Sequence, residues 1–168
     1  MKRLCASMYK YKKISIYFDA SKKLIGVPIG SAPFPKYGGK YGRASLDIFF
    51  VLEPGYSDEE LEHFINEVFD ACYSKKFVDG EPTAIQKYTG AKSYVAAVKG
   101  YQLMNVDWIK DDGYAFVPMM VDSKHRGAFT SIKGVSVKAM LHSKFKPVEK
   151  GALALAFKKA MEIIFEES

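Results

Sequence analysis

Tyr101-Gln-Leu-Met-Asn-Val-Asp-Trp-Ile109, Lys110-Asp-Asp-Gly113 and Tyr114-Ala-Phe-Val-Pro-Met-Met-Val121 decide the fold class. The outer two runs are rich in apolar, β-branched and aromatic residues, the composition of half-buried strands. Asp112-Gly113 between them is a strong hairpin signal, because a tight antiparallel turn needs positive φ and glycine reaches it without steric cost. A second hairpin is predicted upstream. Lys13–Phe18 and Leu24–Ile29 read as strands, and Asp19–Lys23 supplies a five-residue turn. Pro28 has no N–H to give to a ladder, which places the second strand at an edge or near its own end. Asp47–Leu52 is an unbroken apolar run and predicts a strand buried on both faces. Gly134–Leu141 adds another strand.

Helices are written in a different period. Ser57 with Glu60 three residues on is a capping box, and Asp58, Glu59, Glu60 and Glu62 crowd the first turn, where the helix dipole favours anions. Leu61, Phe64, Ile65, Val68, Phe69 and Cys72 then recur on one face, with an end expected near Lys75–Lys76. Residues 90–98 read as a short helix closed by Gly100. A terminal helix opens near Pro147 and places Leu153, Ala156, Phe157, Ala160, Met161, Ile164 and Phe165 on one stripe. Gly30–Arg43, with two prolines and four glycines, reads as a long loop. The prediction is an α+β fold, a mainly antiparallel central β-sheet with amphipathic helices packed on it, forming one domain over residues 1–168.

The 168 residues suffice for a sizeable core without metal or disulfide. Two cysteines, Cys5 and Cys72, make neither a zinc motif nor a secreted disulfide framework, and Cys72 is expected as a buried thiol. Behind the basic N-terminus no signal-peptide core follows, and no apolar run approaches a membrane span, so the expected address is the cytoplasm. Net charge is +6, unevenly spread: residues 1–43 carry +9, residues 44–82 carry −8, and the remainder +5.

The motifs for catalysis fail one by one. Gly38-Gly-Lys-Tyr-Gly-Arg43 lacks the Ser/Thr after lysine and the following helix of a phosphate loop. His63 has no second histidine at helical spacing and is expected to face solvent. His125 and His142 could act as a pair only if the fold brought them together. No metal or cofactor is expected, and the chain reads as a binding protein rather than an enzyme. A basic single-strand-binding module remains an alternative, because Tyr9, Tyr11, Tyr17, Tyr37 and Tyr41 interleave with lysines.

From residue 90 onward the order of features resembles the immunity proteins of contact-dependent growth inhibition systems. The resemblance rests on Tyr94-Val95, Val106-Asp-Trp108, the turn Asp111-Asp-Gly113, and Phe116-Val-Pro118. It continues through Gly127-Ala-Phe129, Val135-Ser-Val137, and Ala156-Phe-Lys-Lys-Ala-Met161 after Gly151. It covers somewhat under half the chain and concerns core and turn positions. It implies a cytoplasmic antidote that binds the C-terminal toxin domain, commonly a nuclease, of a cognate effector. Nuclease toxins are often basic and their antidotes acidic, so a +6 antidote implies that either the acidic segment 53–81 faces the toxin or the toxin presents an acidic face. Two loops are candidates for partner binding. One offers Phe34, Lys36, Tyr37, Lys40, Tyr41 and Arg43; the other offers Lys124, His125, Arg126 and Phe129. Both set aromatic anchors and basic side chains on loops held by a sheet.

Overall fold

Alternating side chains build the sheet, and the computed structural model describes it over residues 10–34, 40–132, 136–140 and 148–167. The strands are β1 (Tyr11–Phe18), β2 (Leu24–Phe34), β3 (Lys40–Ser45), β4 (Phe50–Leu52), β5 (Gln102–Ile109), β6 (Gly113–Val121), β7 (Phe129–Ser131) and β8 (Val137–Met140). The described helices are α1 (Asp58–Asp70), α2 (Ala84–Thr89), α3 (Tyr94–Ala97) and α4 (Ala152–Glu167). The sheet runs β3-β2-β1-β5-β6-β7, with β4 also on β2 and β8 also on β6. Every described pairing is antiparallel. The α+β prediction therefore holds. No described helix is long and apolar enough to cross a membrane.

In β1, Ile14, Ile16 and Phe18 point to one face, where they meet α1 and α4. Met104 and Val106 of β5 and Phe116 of β6 complete that face, and all six are fully buried. The predicted stripes supply the other half of this core: Leu61, Phe64, Ile65, Val68, Phe69 and Cys72 from α1, and Leu153, Ala156, Phe157, Ala160, Met161 and Ile164 from α4. Each fully buried large apolar side chain contributes about 1.5–3 kcal/mol. Phe165, predicted on the stripe, is instead 39% exposed at its edge, with its ring against Phe18. The opposite face carries a smaller core. There Tyr17, Ile25, Val27 and Leu103 meet Ala84 and Ile85 of α2 and Ala97 of α3.

Several expectations change. Residues 30–43 are not a loop throughout: β2 continues to Phe34 and pairs with β3 from Ile29↔Ser45 to Phe34↔Lys40. Glycine and proline weaken a strand, but this hairpin is anchored by its continuity with the long β2. Pro28 is not at an edge or an end. Its carbonyl accepts from Leu46 N at 2.8 Å, so its nitrogen faces the same flank, between the β3 and β4 pairings. The missing N–H thus falls where the ladder is interrupted anyway. The Asp47–Leu52 strand shrinks to Phe50–Leu52 and is not buried on both faces, since Val51 and Phe49 are each 38% exposed. Its described pairing is with β2 alone, which makes it a flank.

Helix α1 ends at Asp70, well before Lys75–Lys76. Tyr73 takes positive φ (61°), and the chain then runs beside β2, with Tyr73 N donating to Ile29 O and Phe77 N to Ser31 O. Helix α2 has an unpredicted capping box, Thr83 with Gln86, and closes on Gly90 at φ 73°. The predicted helix over 90–98 contracts to α3, capped by Ser93. Cys72 is buried, its thiol donates to Lys13 O at 3.4 Å, and burial raises its pKa, so it is a packing residue. Cys5, His142 and the predicted start of the terminal helix at Pro147 lie outside the described residues.

Glu62 has a role beyond the dipole of its own helix. Its carboxylate accepts hydrogen bonds from the backbone N–H groups of Gly151 (2.7 Å), Leu153 (2.9 Å) and Ala154 (3.2 Å). It therefore caps α4 from across the helix pair and satisfies donors that a helix leaves unpaired at its N-terminus.

Candidate functional site: a cationic cleft on the open face

The polar members of the alternating strands define an open region beside the smaller core. Lys13 and Ser15 of β1 alternate with Ile14 and Ile16, and Asn105 of β5 lies between Met104 and Val106. Each is on the face that α1 and α4 do not cover. Ser15 Oγ donates to Asn105 Oδ1 at 3.0 Å, tying the two strands together along the floor. One wall is Arg43, Ala44 and Ser45 of β3; the other is Gly127, Ala128 and Phe129. Tyr17 and Tyr94 close one end. The cleft holds about 690 Å³, and no Asp or Glu lines it among the described residues.

Arg43 is held in place. Its guanidinium lies 4.5 Å from the centre of the Tyr11 ring, and its Nε donates to Tyr73 Oη at 3.2 Å. Tyr73 Oη in turn donates to Tyr11 O at 2.8 Å, and Tyr11 Oη donates to Asp107 Oδ1 at 2.6 Å. With Nε used and one ring face behind it, the guanidinium keeps its terminal N–H groups as a fork suited to a planar anion. Burial, then the bond to Asp107, raises the Tyr11 pKa, while burial and Tyr94 raise that of Tyr17, so both phenols stay protonated at neutral pH. Tyr17 and Tyr94 hydroxyls share a hydrogen bond of 3.2 Å, and Phe129 meets the Tyr17 ring edge-on with centroids 6.3 Å apart.

The cleft joins parts of both sequence candidates, Arg43 from one loop and Phe129 from the other. The remaining candidates are placed differently. Phe34, Lys40 and Tyr41 belong to β2 and β3, with side chains outside the described set, and Lys36 and Tyr37 lie outside the described residues altogether. Lys124, His125 and Arg126 are exposed at the tip of the 122–129 loop and do not line the cleft. That tip is ordered by Asp122, which accepts from Lys124 N and pairs with His125 Nδ1, each at 2.8 Å. These contacts, the Lys124 amide first, hold the Asp122 pKa below its usual value. Gly127 (φ 77°) passes so close to Val95 that a Cβ there would lie 3.2 Å from the Val95 Cα, which fixes the loop against α3. His63 is exposed on α1, as expected. No group of three or more His, Cys, Asp or Glu positioned to hold a metal occurs among the described residues.

Lys13, Ser15 and Asn105 are not among the sequence candidates, and Tyr11 is one only for the single-strand-binding alternative. Their signal is the polar-apolar alternation Lys13-Ile-Ser-Ile16 and Met104-Asn-Val-Asp107, which marks a strand face left outside the core.

Sheet, helices and cleft define a class: an α+β protein whose antiparallel sheet is packed by helices on one face and partly open on the other. No family model matches the sequence, and no curated protein matches it. Solved structures share the fold. A protein of unknown function from Neisseria meningitidis superimposes with a TM-score of 0.61 at 13% identity, covering 92% of this chain and 95% of that one. A chain of the CdiA-CT/CdiI toxin and immunity complex from Yersinia pseudotuberculosis gives 0.56 at 11% identity, covering 91% and 97%.

Proposed function

We propose that this chain is a cytoplasmic immunity protein. It binds and neutralises the C-terminal toxin domain, a nuclease by our reading, of a cognate contact-dependent growth inhibition effector, and it works by binding rather than by catalysis. The observation that carries the reading is the end-to-end likeness of fold to a chain of a toxin and immunity complex. The family resemblance of residues 90–161 points the same way and was drawn from other features. An antidote needs a rigid, partner-shaped surface and no reacting group. The cleft supports this, with its pre-placed arginine, neutral phenols and mixed polar and apolar walls.

The single-strand-binding alternative draws less support. Of its five tyrosines, Tyr17 is buried and Tyr11 has Arg43 over one ring face, so neither resembles a free stacking platform. The test is co-expression with the C-terminal domain of a large secreted effector encoded beside this gene. A stable complex with a Kd in the nanomolar range, typical of dedicated inhibitors at about −12 kcal/mol, and protection of cells from the toxin are expected. Failure to bind or protect would refute the reading. The purified chain is expected to turn over neither RNA, DNA nor nucleotides; turnover lost in His125→Ala or His142→Ala would contradict a purely binding role.

A further inference from the structure

The geometry points to the cleft between β3 and the 127–129 segment as the partner site, and to an acidic loop of a protein, a carboxylate beside an apolar side chain, as what it takes. The inference rests on the protein-binding reading above.

Its first support is charge. Lys13 and Arg43 both line the cleft, no carboxylate does among the described residues, and neither cation has an acidic partner there. Asp107, opposite Lys13 in the β1–β5 register, is the nearest carboxylate along the floor; it accepts from the Tyr11 hydroxyl and forms no described ion pair with either cation.

The second support is the fate of the acidic segment, the competing surface. Seven of the ten carboxylates between residues 44 and 82 are already used within the chain, Asp79 among them as acceptor from the Gly80 N–H. Asp47 meets Lys75 and Lys87, Glu53 meets Lys23, Asp58 meets Lys158, and Glu59 meets Lys150. Glu60 caps α1 and Glu62 caps α4. A surface whose charges are consumed internally is a weak receiver for a basic partner. Lys13 and Arg43, which have no described ion pair, lie together in a concavity.

The third support is the division of the cleft. Lys13, Arg43, Ser15 and Asn105 form a polar part, while Leu103, Met119 and Phe129 form an apolar one. A phosphodiester chain needs a row of cations and free ring faces. A loop carrying Asp or Glu next to an apolar residue needs one fork, one ammonium and an apolar shelf, as found here. Arg43 is stacked and hydrogen-bonded before any partner arrives, so little side-chain freedom is lost on binding.

The experiment is titration calorimetry of the full chain with the effector C-terminal domain encoded beside its gene, at about 150 mM salt, near physiological ionic strength. Lys13→Glu and Arg43→Glu are each expected to weaken the complex about a hundredfold or more, the scale of interface hot spots. Lys13→Gln and Arg43→Gln, which preserve size and solubility, should weaken it less but measurably, with melting temperatures reported for all four. Glu67→Lys and Asp70→Lys on α1 should bind within about threefold of wild type, as expected for charges outside the contact. A wild-type complex that ignores all four cleft variants, or that depends on Glu67 or Asp70, overturns the inference while leaving the immunity reading intact. No wild-type complex removes both. Nanomolar binding of a labelled single-stranded RNA, lost in Arg43→Glu, would reassign the cleft to nucleic acid and overturn the inference.

Discussion

Removing the Glu62 carboxylate should uncap α4 without touching its packing. Three backbone donors, at Gly151, Leu153 and Ala154, converge on its two oxygens, and all three contacts are partly buried. Hydrogen bonds to charged acceptors are worth about 1.5–3 kcal/mol each when fully buried. That scale overstates the loss here, because the freed N–H groups can turn partly to water. Replacement of an N-cap costs about 0.5–2 kcal/mol, and a lost anion at a helix N-terminus costs about 0.3–1 kcal/mol more. We therefore expect Glu62→Ala to destabilise the protein by about 2 kcal/mol. With a urea m-value of about 2 kcal/mol/M, the unfolding midpoint should fall by about 1 M at unchanged slope. Glu59→Ala is the control one helical turn away. Its only described ionic contact is with Lys150 at 3.9 Å, both groups exposed, so its cost should stay under about 0.5 kcal/mol. Hydrogen exchange should speed up at Leu153 and Ala154 in Glu62→Ala and not in Glu59→Ala. Equal midpoints for the two variants, or unchanged exchange at those amides, would refute the capping argument.

Phe157 is fully buried with its ring 6.4 Å from that of Phe116, and Phe64 is 3% exposed; truncating either to Ala should cost about 3–5 kcal/mol by denaturant unfolding. At Gly26 an added Cβ would come within 2.5 Å of Val68 and 2.9 Å of Phe64, so Gly26→Ala should lose about 1–3 kcal/mol as α1 is pushed from β2. Hydrogen bonds from Lys75, then Lys87, lower the Asp47 pKa to about 2. A carboxylate with a depressed folded-state pKa stabilises above its unfolded value and loses that contribution as pH falls toward the folded one. Asp47→Asn should therefore cost about 1 kcal/mol at pH 7, the upper range for a surface ion pair. Its deficit against wild type should vanish as the pH falls from about 4 to about 2, the window between the two pKa values.

Elements whose signal is local were the ones open to reading. Helix α1 announces itself through Ser57, Glu60 and an unbroken stripe, and those residues pack as their spacing demands. The β5–β6 hairpin follows from Asp112-Gly113, with Asp111 (φ 69°) and Gly113 (φ 112°) taking the left-handed conformations of the turn. Failures came where a distant partner overrides local preference. Nothing near Pro33 or Gly42 shows that β2 will extend far enough to pair with β3, and nothing near Pro28 shows that its nitrogen will face a break in pairing. The α1 terminus was misplaced because the residues after Asp70 bond to β2 carbonyls more than forty positions away. The cleft was half visible. Arg43 and Phe129 stood out as exposed types on presumed loops, whereas Lys13, Ser15 and Asn105 sat inside strands and needed the strand face to be read as a surface.

The segregation of charge along the chain becomes intelligible once the fold is in place. Had the +9 and −8 segments simply neutralised each other, the N-terminal cations would sit among the carboxylates of residues 44–82. Among the described residues, the one ion pair between that segment and an N-terminal cation is Glu53 with Lys23. The other ionic partners, Lys75, Lys87, Lys150 and Lys158, come from later in the chain. Among the described residues Lys13 and Arg43 make no ion pair with a carboxylate, and Asp107, opposite Lys13 in the β1–β5 register, accepts from the Tyr11 hydroxyl. Rigidity and unspent charge at one place are what a fixed, single-partner surface requires, since a pre-ordered arginine loses little entropy on binding. A net positive chain is then physically consistent with the proposed antidote role, the proposed complementarity residing in one concavity rather than in the sign of the whole chain.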